Sequence, residues 1–403
     1  GIAAPCLLDR QGASMSSRQI GRVRLWRVRI PLRMVYLSSM YVMQDTFRTV
    51  IELETSDGAF RGYGEAHGTT EAFQLAEQLA TGLVGADPFD RRVVGRRFAW
   101  SVFDTRLGRP AWCLAGGLDL ALWDLSARLA GSSLGGMLGG RCRDAVPLVC
   151  PLPALMLDRP MPRAEVTRLF SDLGRVDAVV EYAVRQAEQY GFRCFKYKSA
   201  AVSPAFDRAV MASLRQRFPD APLRFDPNAG YPPAEAIGLC QSMDDLGLEF
   251  FEDPTDDQAG LARLRSQVRT PIATNMCIIQ PDHLAAAVRS RPVDVILADL
   301  YLWGGVGRFR SLVHAAEPLG FEVAIHSLFE TGIGTAANLH LAAAFPGTRR
   351  ANDCGSHALS EDVVTAELAI QDGAERVPAG PGLGVDLDQV RIAGMAVQMT
   401  EVR

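Results

Sequence analysis

Six polar residues each close a short apolar run at a near-constant interval. They are Lys198 after GFRCFKY, Asp226 after LRF, Glu252 after LEFF, Asn275 after PIAT, Asp299 after VDVILA and His326 after FEVAI. The positions 198, 226, 252, 275, 299 and 326 are separated by 28, 26, 23, 24 and 27 residues. Asp226, Glu252 and Asn275 are consecutive in this ladder and offer two carboxylates and an amide oxygen. An all-oxygen set without Cys or His suits Mg2+ better than Zn2+, and Mg2+ keeps positions open for a substrate carboxylate. Any one of the three alone also fits a strand-end cap or a loop ion pair; their succession favours a metal.

Lys196 and Lys198 form a KxK pair, and in a strand of period two both ammonium groups point to one side. Two such charges near a dication depress each other's pKa, so one lysine is expected neutral near pH 7 and able to act as a base. His326 and Asp299 end neighbouring runs, and a carboxylate bonded to one imidazole nitrogen leaves the other for proton transfer. A base on each side of a metal suits removal of a proton α to a carboxylate, with the metal holding the enediolate oxygens. Glu330 and Asp353, close to the last two run ends, are further candidates.

The elements that position these groups follow from the same spacing. A step of that size fits one strand, one helix and two short loops. Runs rich in Phe, Val, Ile and Leu match strands buried on both faces. The expected fold is α/β: a (β/α)8-type, modified TIM-like barrel spanning 144–380, with chemistry at the C-terminal ends of its strands. Its first strand is AVPLVCPLP (145–153), an insertion at 154–177 emerges on the active-site face, and RRANDCGS supplies the eighth strand. Residues 1–143 form an α+β capping domain: a poorly ordered lead-in (1–20), three strands from Val23 onward with an SDG hairpin turn, then helices to about 140. Between its first strands, residues 33–46 form an apolar segment expected as a lid, with Tyr36 and Tyr41 as substrate contacts. Residues 381–403 return to the capping domain.

Bulk properties narrow the function. With 403 residues, a net charge of −4 and a pI near 5.9, the chain does not resemble a nucleic-acid binder. Its eight cysteines lack a CxxC pair, which fits reduced thiols in a cytoplasmic setting. No apolar run reaches the ~18–20 residues needed to span a membrane, and no secretory leader pattern opens the chain. A small-molecule carboxylate is the expected partner.

At the level of motifs, FKYK (195–198), FDPN (225–228), FEDP (251–254), TNM (274–276), LAD (297–299) and IHS (325–327) resemble the enolase superfamily, mandelate racemase subgroup. So do GLDLALWDLSARLAG and PGLGVD. The likeness runs from about Val23 to the end. Within the subgroup, DPN, EDP and ATNM, with Asn as third ligand, resemble glucarate dehydratases. The resemblance implies Mg2+ on Asp226, Glu252 and Asn275, and Lys198 as one base with Lys196 as its electrostatic partner. It also implies the His326–Asp299 dyad as the opposite base or acid, Asn228 as a polar contact near the metal, and a homo-oligomer. The implied reaction is dehydration of an acid sugar. Two departures stand out: HSLFETGIG after the histidine is closer to cycloisomerases, and the 33–46 segment is rich in Met and Tyr where a polyhydroxy diacid wants hydrogen bonds. Racemases, epimerases and cycloisomerases of carboxylates use the same site. A Schiff-base aldolase built on the lysines and a non-catalytic binding barrel are the remaining rivals.

Overall fold

The computed structural model describes residues 18–94, 108–153, 155–157, 175–366 and 368–403. The proposed lead-in therefore falls outside the described residues up to 17, and so does most of the 154–177 insertion. The first strand begins at Ile20, three residues before the expected Val23.

The N-terminal part is an antiparallel sheet covered by helices. Strands β1 (Ile20–Leu37), β2 (Val42–Thr55) and β3 (Arg61–His67) pair in order, with β1 also taking the C-terminal strand β15 (Ala396–Val402) and the short β5 (Leu155–Leu157). The expected three strands are thus five, because the chain end returns to pair Val23 with Val402. Helices α1 (Thr70–Ala80) and α2 (Gly108–Leu129) close one face around Leu25, Ile51, Phe73, Leu118 and Leu122, all essentially buried. Gly64 permits this packing: a Cβ there would meet the Gly117 carbonyl oxygen of α2 at 2.1 Å.

The 33–46 segment is regular rather than a loop. Its residues extend β1 and β2 into a hairpin whose turn is Ser38–Tyr41, closed by Ser38 N–H donating to Tyr41 O at 3.0 Å. The Ser38 hydroxyl accepts from the Met40 and Tyr41 amides, so the turn satisfies its own backbone.

Eight parallel strands build the barrel: β4 (Ala145–Leu152), β6 (Cys194–Lys198), β7 (Leu223–Asp226), β8 (Phe250–Glu252), β9 (Ile272–Thr274), β10 (Val295–Ala298), β11 (Glu322–Ile325) and β12 (Asn352–Asp353). They pair in that order from β4 to β11; β12 pairs with β4 and lies against β11. A hairpin of β13 (Ile370–Gln371) and β14 (Ala374–Arg376) caps the outer edge of β4. Helices α3 (Val176–Tyr190), α4 (Pro204–Arg217), α5 (Pro233–Met243), α6 (Gln258–Arg265), α7 (Pro281–Ser290), α8 (Val306–Ala316) and α9 (Gly332–Ala344) alternate with them, and α10 (Gln389–Met395) precedes β15.

The local reasons are visible in the sequence. Ser203 and Asp257 cap α4 and α6 with their side chains, and proline opens α4, α5 and α7 where no amide is needed. Outward-facing residues such as Phe195, Tyr197, Phe225 and Phe251 pack against the helices in the main core. Inside the barrel, Phe250, Ala273, Val295, Leu297 and Ala324 form a small apolar plug.

Glu65, one member of a buried ion pair in the capping sheet, pins the two halves together. Arg48 on β2 and Glu65 on β3 bond to each other, and Glu65 also accepts from the amides of Thr331 (3.1 Å) and Gly334 (3.0 Å) at the start of α9. A carboxylate at a helix N-terminus gains both from unpaired amides and from the helix dipole.

Candidate active site

Strand register delivers the ladder residues to one rim. Lys198 lies directly beside Asp226. The pairs Phe225–Phe251 and Ala298–Ile325, continued by one residue, set Asp226 beside Glu252 and Asp299 beside His326. The turns just beyond these strands hold Ala200, Asn228, Ala229, Asp253 and Phe329 at positive φ, a conformation that costs energy in non-glycine residues and recurs at functional rims.

The lysines are each held by carboxylates. Lys196 Nζ donates to Glu252 Oε1 (3.2 Å) and Oε2 (3.0 Å) and to Asp353 Oδ2, while Lys198 Nζ donates to Asp226 Oδ2 and to Asn228 Oδ1 (3.5 Å). Burial opposes both ammonium charges, yet these anions raise both lysines above their ordinary pKa. Each ammonium thus has its own carboxylate partner; Mg2+ on Asp226 would compete with Lys198 for that carboxylate and favour the neutral form expected of a base. At this level the barrel interior also carries charge. With a period of two, Arg224 points inward from β7 two residues before Asp226, bonding Glu249 (2.6 Å), Asp353 (3.4 Å) and the Ala351 carbonyl (2.9 Å).

The dyad forms as expected. His326 Nδ1 lies 3.0 Å from Asp299 Oδ2, and Asp299 Oδ1 accepts from the amides of Tyr301 (2.8 Å) and Leu302 (3.0 Å). Burial works against the Asp299 charge, but the hydrogen bond and charge of His326, with His67 nearby, hold it at about 2. Burial also opposes the His326 imidazolium, and Asp299 more than offsets it, so His326 is raised.

Two groupings offer themselves for a metal. Glu252, His326 and Asp353 bring one ligand atom each within 4.8 Å of one another, but the Lys196 ammonium already bridges Glu252 and Asp353. Glu252 belongs to both groupings, and in the second one Lys196 likewise holds Glu252 while Lys198 holds Asp226. In the other grouping, Asn275 Oδ1 is buried and has no hydrogen-bond partner among the described residues. Its backbone is fixed by the Asn275 amide donating to Asp253 Oδ2 at 2.7 Å, and the Thr274 hydroxyl holds the other oxygen of Asp253. Burial first, then the charge of Asp226, push the Glu252 carboxyl up to about 8. A buried oxygen without a partner among the described residues, just past the strand that pairs with the one carrying Glu252, fits a hard cation. Asp226, Glu252 and Asn275 fit Mg2+ on that ground.

A cavity of about 300 Å3, within the usual range for small-molecule sites, opens over these groups. Lys198, Asn228, Asn275, Asp299 and His326 line its barrel side. Tyr41, Met40, His67 and Thr69 reach it from the capping domain, and Met276, Leu302 and Leu328 make much of it apolar. Lys198 at the end of β6 and His326 just past β11 stand three strands apart around the closed barrel, and both open on this cavity.

The weaker candidates separate. Tyr36 sits in a smaller adjoining pocket with Lys196, Asp353 and Phe329, its ring edge-on to Phe329 at 5.1 Å. Ser39 ties the hairpin tip to the barrel by donating to Pro227 O at 2.8 Å. Asp353 faces Lys196 and Arg224 rather than the main cavity. Glu330 turns back on its own loop, accepting from the Leu328 amide at 2.8 Å and the Ser327 hydroxyl, and does not line the cavity. Sequence reasoning missed His67, Thr69, Arg224 and Asp253. Arg224 was within reach of the two-residue period, and Asp253 of the polar pair that follows FF. His67 and Thr69 arrive through domain docking, which leaves no local signal.

The mandelate racemase / muconate lactonizing enzyme N-terminal domain profile matches residues 20–139, and the enolase C-terminal domain-like profile matches residues 178–391. A probable glucarate dehydratase from Streptomyces coelicolor is 31% identical over 364 residues, covering 86% of this chain and 84% of its own. A D-galactarolactone cycloisomerase from Agrobacterium fabrum is 28% identical, covering 84% of this chain and 89% of its own. Among solved structures, an enolase from Thermobispora bispora complexed with magnesium and formate superposes with a TM-score of 0.85 at 33% identity, covering 94% of this chain and 92% of that one. The matched profiles, the (β/α)8-type barrel and its α+β cap place this chain in the enolase superfamily, within the mandelate racemase / muconate lactonizing enzyme group.

Proposed function

We propose that the protein is a Mg2+-dependent dehydratase of an acid sugar, acting on a small-molecule carboxylate. The observation that carries the reading is the placement of Lys198 and of the Asp299–His326 dyad on one cavity, with the unpartnered oxygen of Asn275 beside them. Mg2+ held by Asp226, Glu252 and Asn275 would supply positive charge to the substrate carboxylate. Lys198 or His326, according to the substrate's configuration, takes the α-proton. His326, kept protonated by Asp299 when it acts as the acid, delivers a proton to the departing β-hydroxyl. Lys196, held between Glu252 and Asp353, remains charged and offsets the negative charge that develops on the substrate. Tyr41 and the hairpin tip close the capping side, and Asn228 offers a polar contact beside Lys198.

The glucarate dehydratase relative and the Asn275 position support this reading. The apolar side of the cavity and the cycloisomerase relative favour a second: racemisation or cycloisomerisation of a carboxylate by the same residues. Mono- and diacid sugars incubated with the enzyme separate the two. A 2-keto product that disappears with EDTA and returns with Mg2+ supports dehydration; solvent deuterium incorporation without 2-keto product selects the second reading. Lys198→Ala and His326→Ala should each lower turnover by several orders of magnitude while the fold persists. Near-normal turnover in both would exclude either form of the mechanism.

A further inference from the structure

Behind the active-site wall lies a small chamber with room for a single water-sized occupant. Three elements converge on it. The outer face of β12 presents Asn352, α9 presents Asn338 and Thr335, and β14 presents Glu375. Asn352, Asn338 and Glu375 are 2%, 6% and 1% exposed, so none of them can turn to bulk water. Yet among the described residues Asn352 Oδ1, Asn338 Oδ1 and both Glu375 oxygens have no hydrogen-bond partner, nor has Asn352 Nδ2. Polar groups this deeply buried are ordinarily satisfied, and leaving them unmade is costly. The position of Glu375 adds to this: its strand alternates, and the inward place between partly buried Ala374 and exposed Arg376 calls for an apolar residue. Burial, then the nearby Asp362 charge, push its carboxyl up to about 7, the mark of an anion without a counter-charge.

The inventory decides what fills the chamber. Among the buried atoms without partners, four acceptor oxygens stand against one donor group, and a water molecule brings only two protons. A cation satisfies acceptors without donating protons, and oxygen-only ligands select a hard one. One carboxylate balances one unit of charge, whereas a dication would leave net charge buried. We propose that Glu375, Asn352, Asn338 and Thr335 form a buried site for a monovalent alkali cation such as Na+ or K+. Asn352 and Asp353 are consecutive in a strand of two residues, so their side chains point to opposite faces. The cation therefore fixes from behind the segment whose next residue holds Lys196 and Arg224.

Crystals grown with Rb+ or Tl+ as the sole alkali-type cation should show an anomalous peak among these four residues. The thermal midpoint should be several degrees higher in NaCl or KCl than in choline chloride of equal ionic strength. That difference should vanish in Glu375→Gln and shrink in Asn338→Ala, which serves if the first variant folds poorly. A water-like, non-anomalous occupant together with equal midpoints in all three salts would overturn the proposal. Both readouts are independent of catalysis, so they stand or fall separately from the assigned reaction; any effect of the cation on turnover rests on that assignment.

Discussion

Asp299→Asn tests the proton-transfer argument most directly, because it changes one atom and leaves the shape intact. The amide oxygen can still accept from the Tyr301 and Leu302 amides, which Asp299 Oδ1 now does at 2.8 and 3.0 Å. The Nδ2 group replaces Oδ2, which lies 3.0 Å from His326 Nδ1. An amide nitrogen only donates, so Nδ1 must now accept and the imidazole proton is forced onto Nε2. In that tautomer the neutral ring has no lone pair on Nε2 with which to take a proton. The imidazolium also loses its counter-charge. Asp299 held at about 2 against an ordinary 3.8 corresponds to ~2 kcal/mol favouring its ionised form, obtained against burial and owed first to His326, then to His67 and the Leu302 amide. Loss of much of this and the wrong tautomer together should lower turnover by ~10^2–10^4. Steady-state kinetics give the loss, and 15N NMR of the imidazole gives the tautomer and a lowered His326 titration. Thermal unfolding confirms that the fold is retained. Turnover within about tenfold of the parent, with His326 titrating unchanged, would refute the reasoning.

Two further outcomes follow from other parts of the molecule. Asn275→Ala removes the unpartnered oxygen from the proposed metal position, so half-maximal activity and half-maximal thermal stabilisation should each require ~10-fold more Mg2+ or beyond; unchanged titrations would remove Asn275 from the ligand set. His340 and His357 are held at about 4, chiefly by burial, and His340 Nδ1 already accepts from the Gly135 amide while Nε2 meets the Leu383 carbonyl. With folded values below the ordinary 6.5, stability is fully present above about pH 6.5 and is lost as pH falls toward 4. Each histidine accounts for up to ~3 kcal/mol of that loss. Urea unfolding between pH 7 and 4 measures it, and a flat profile would count against neutral burial of both rings.

The regular spacing of Lys198, Asp226, Glu252, Asn275, Asp299 and His326 announced the barrel, because a strand, a helix and two loops have nearly fixed lengths. The same period put one polar residue at the end of each run, so the oxygens along the rim and the Asp299–His326 pair could be named from the chain alone. Alternation along strands also foretold that Lys196 and Lys198 share a face. It did not reveal what stands opposite them: Lys196 is neutralised by Glu252 and Asp353, on β8 and β12, which only barrel closure brings to it. A charge state depends on distances between strands, and linear order carries none of them. For the same reason Arg224, His67 and the Asn338–Asn352–Glu375 chamber escaped notice. The local pattern of residues 33–46 was compatible with a loop, and the hairpin won because β1 and β2 supply cross-strand hydrogen bonds while Ser39 finds Pro227. Periodicity thus determined the architecture and the types of group at its rim. Packing between segments far apart in the chain decided which charges meet, which oxygens are left without partners, and the shape of the space above them, because those quantities arise only from distances that closure of the fold creates.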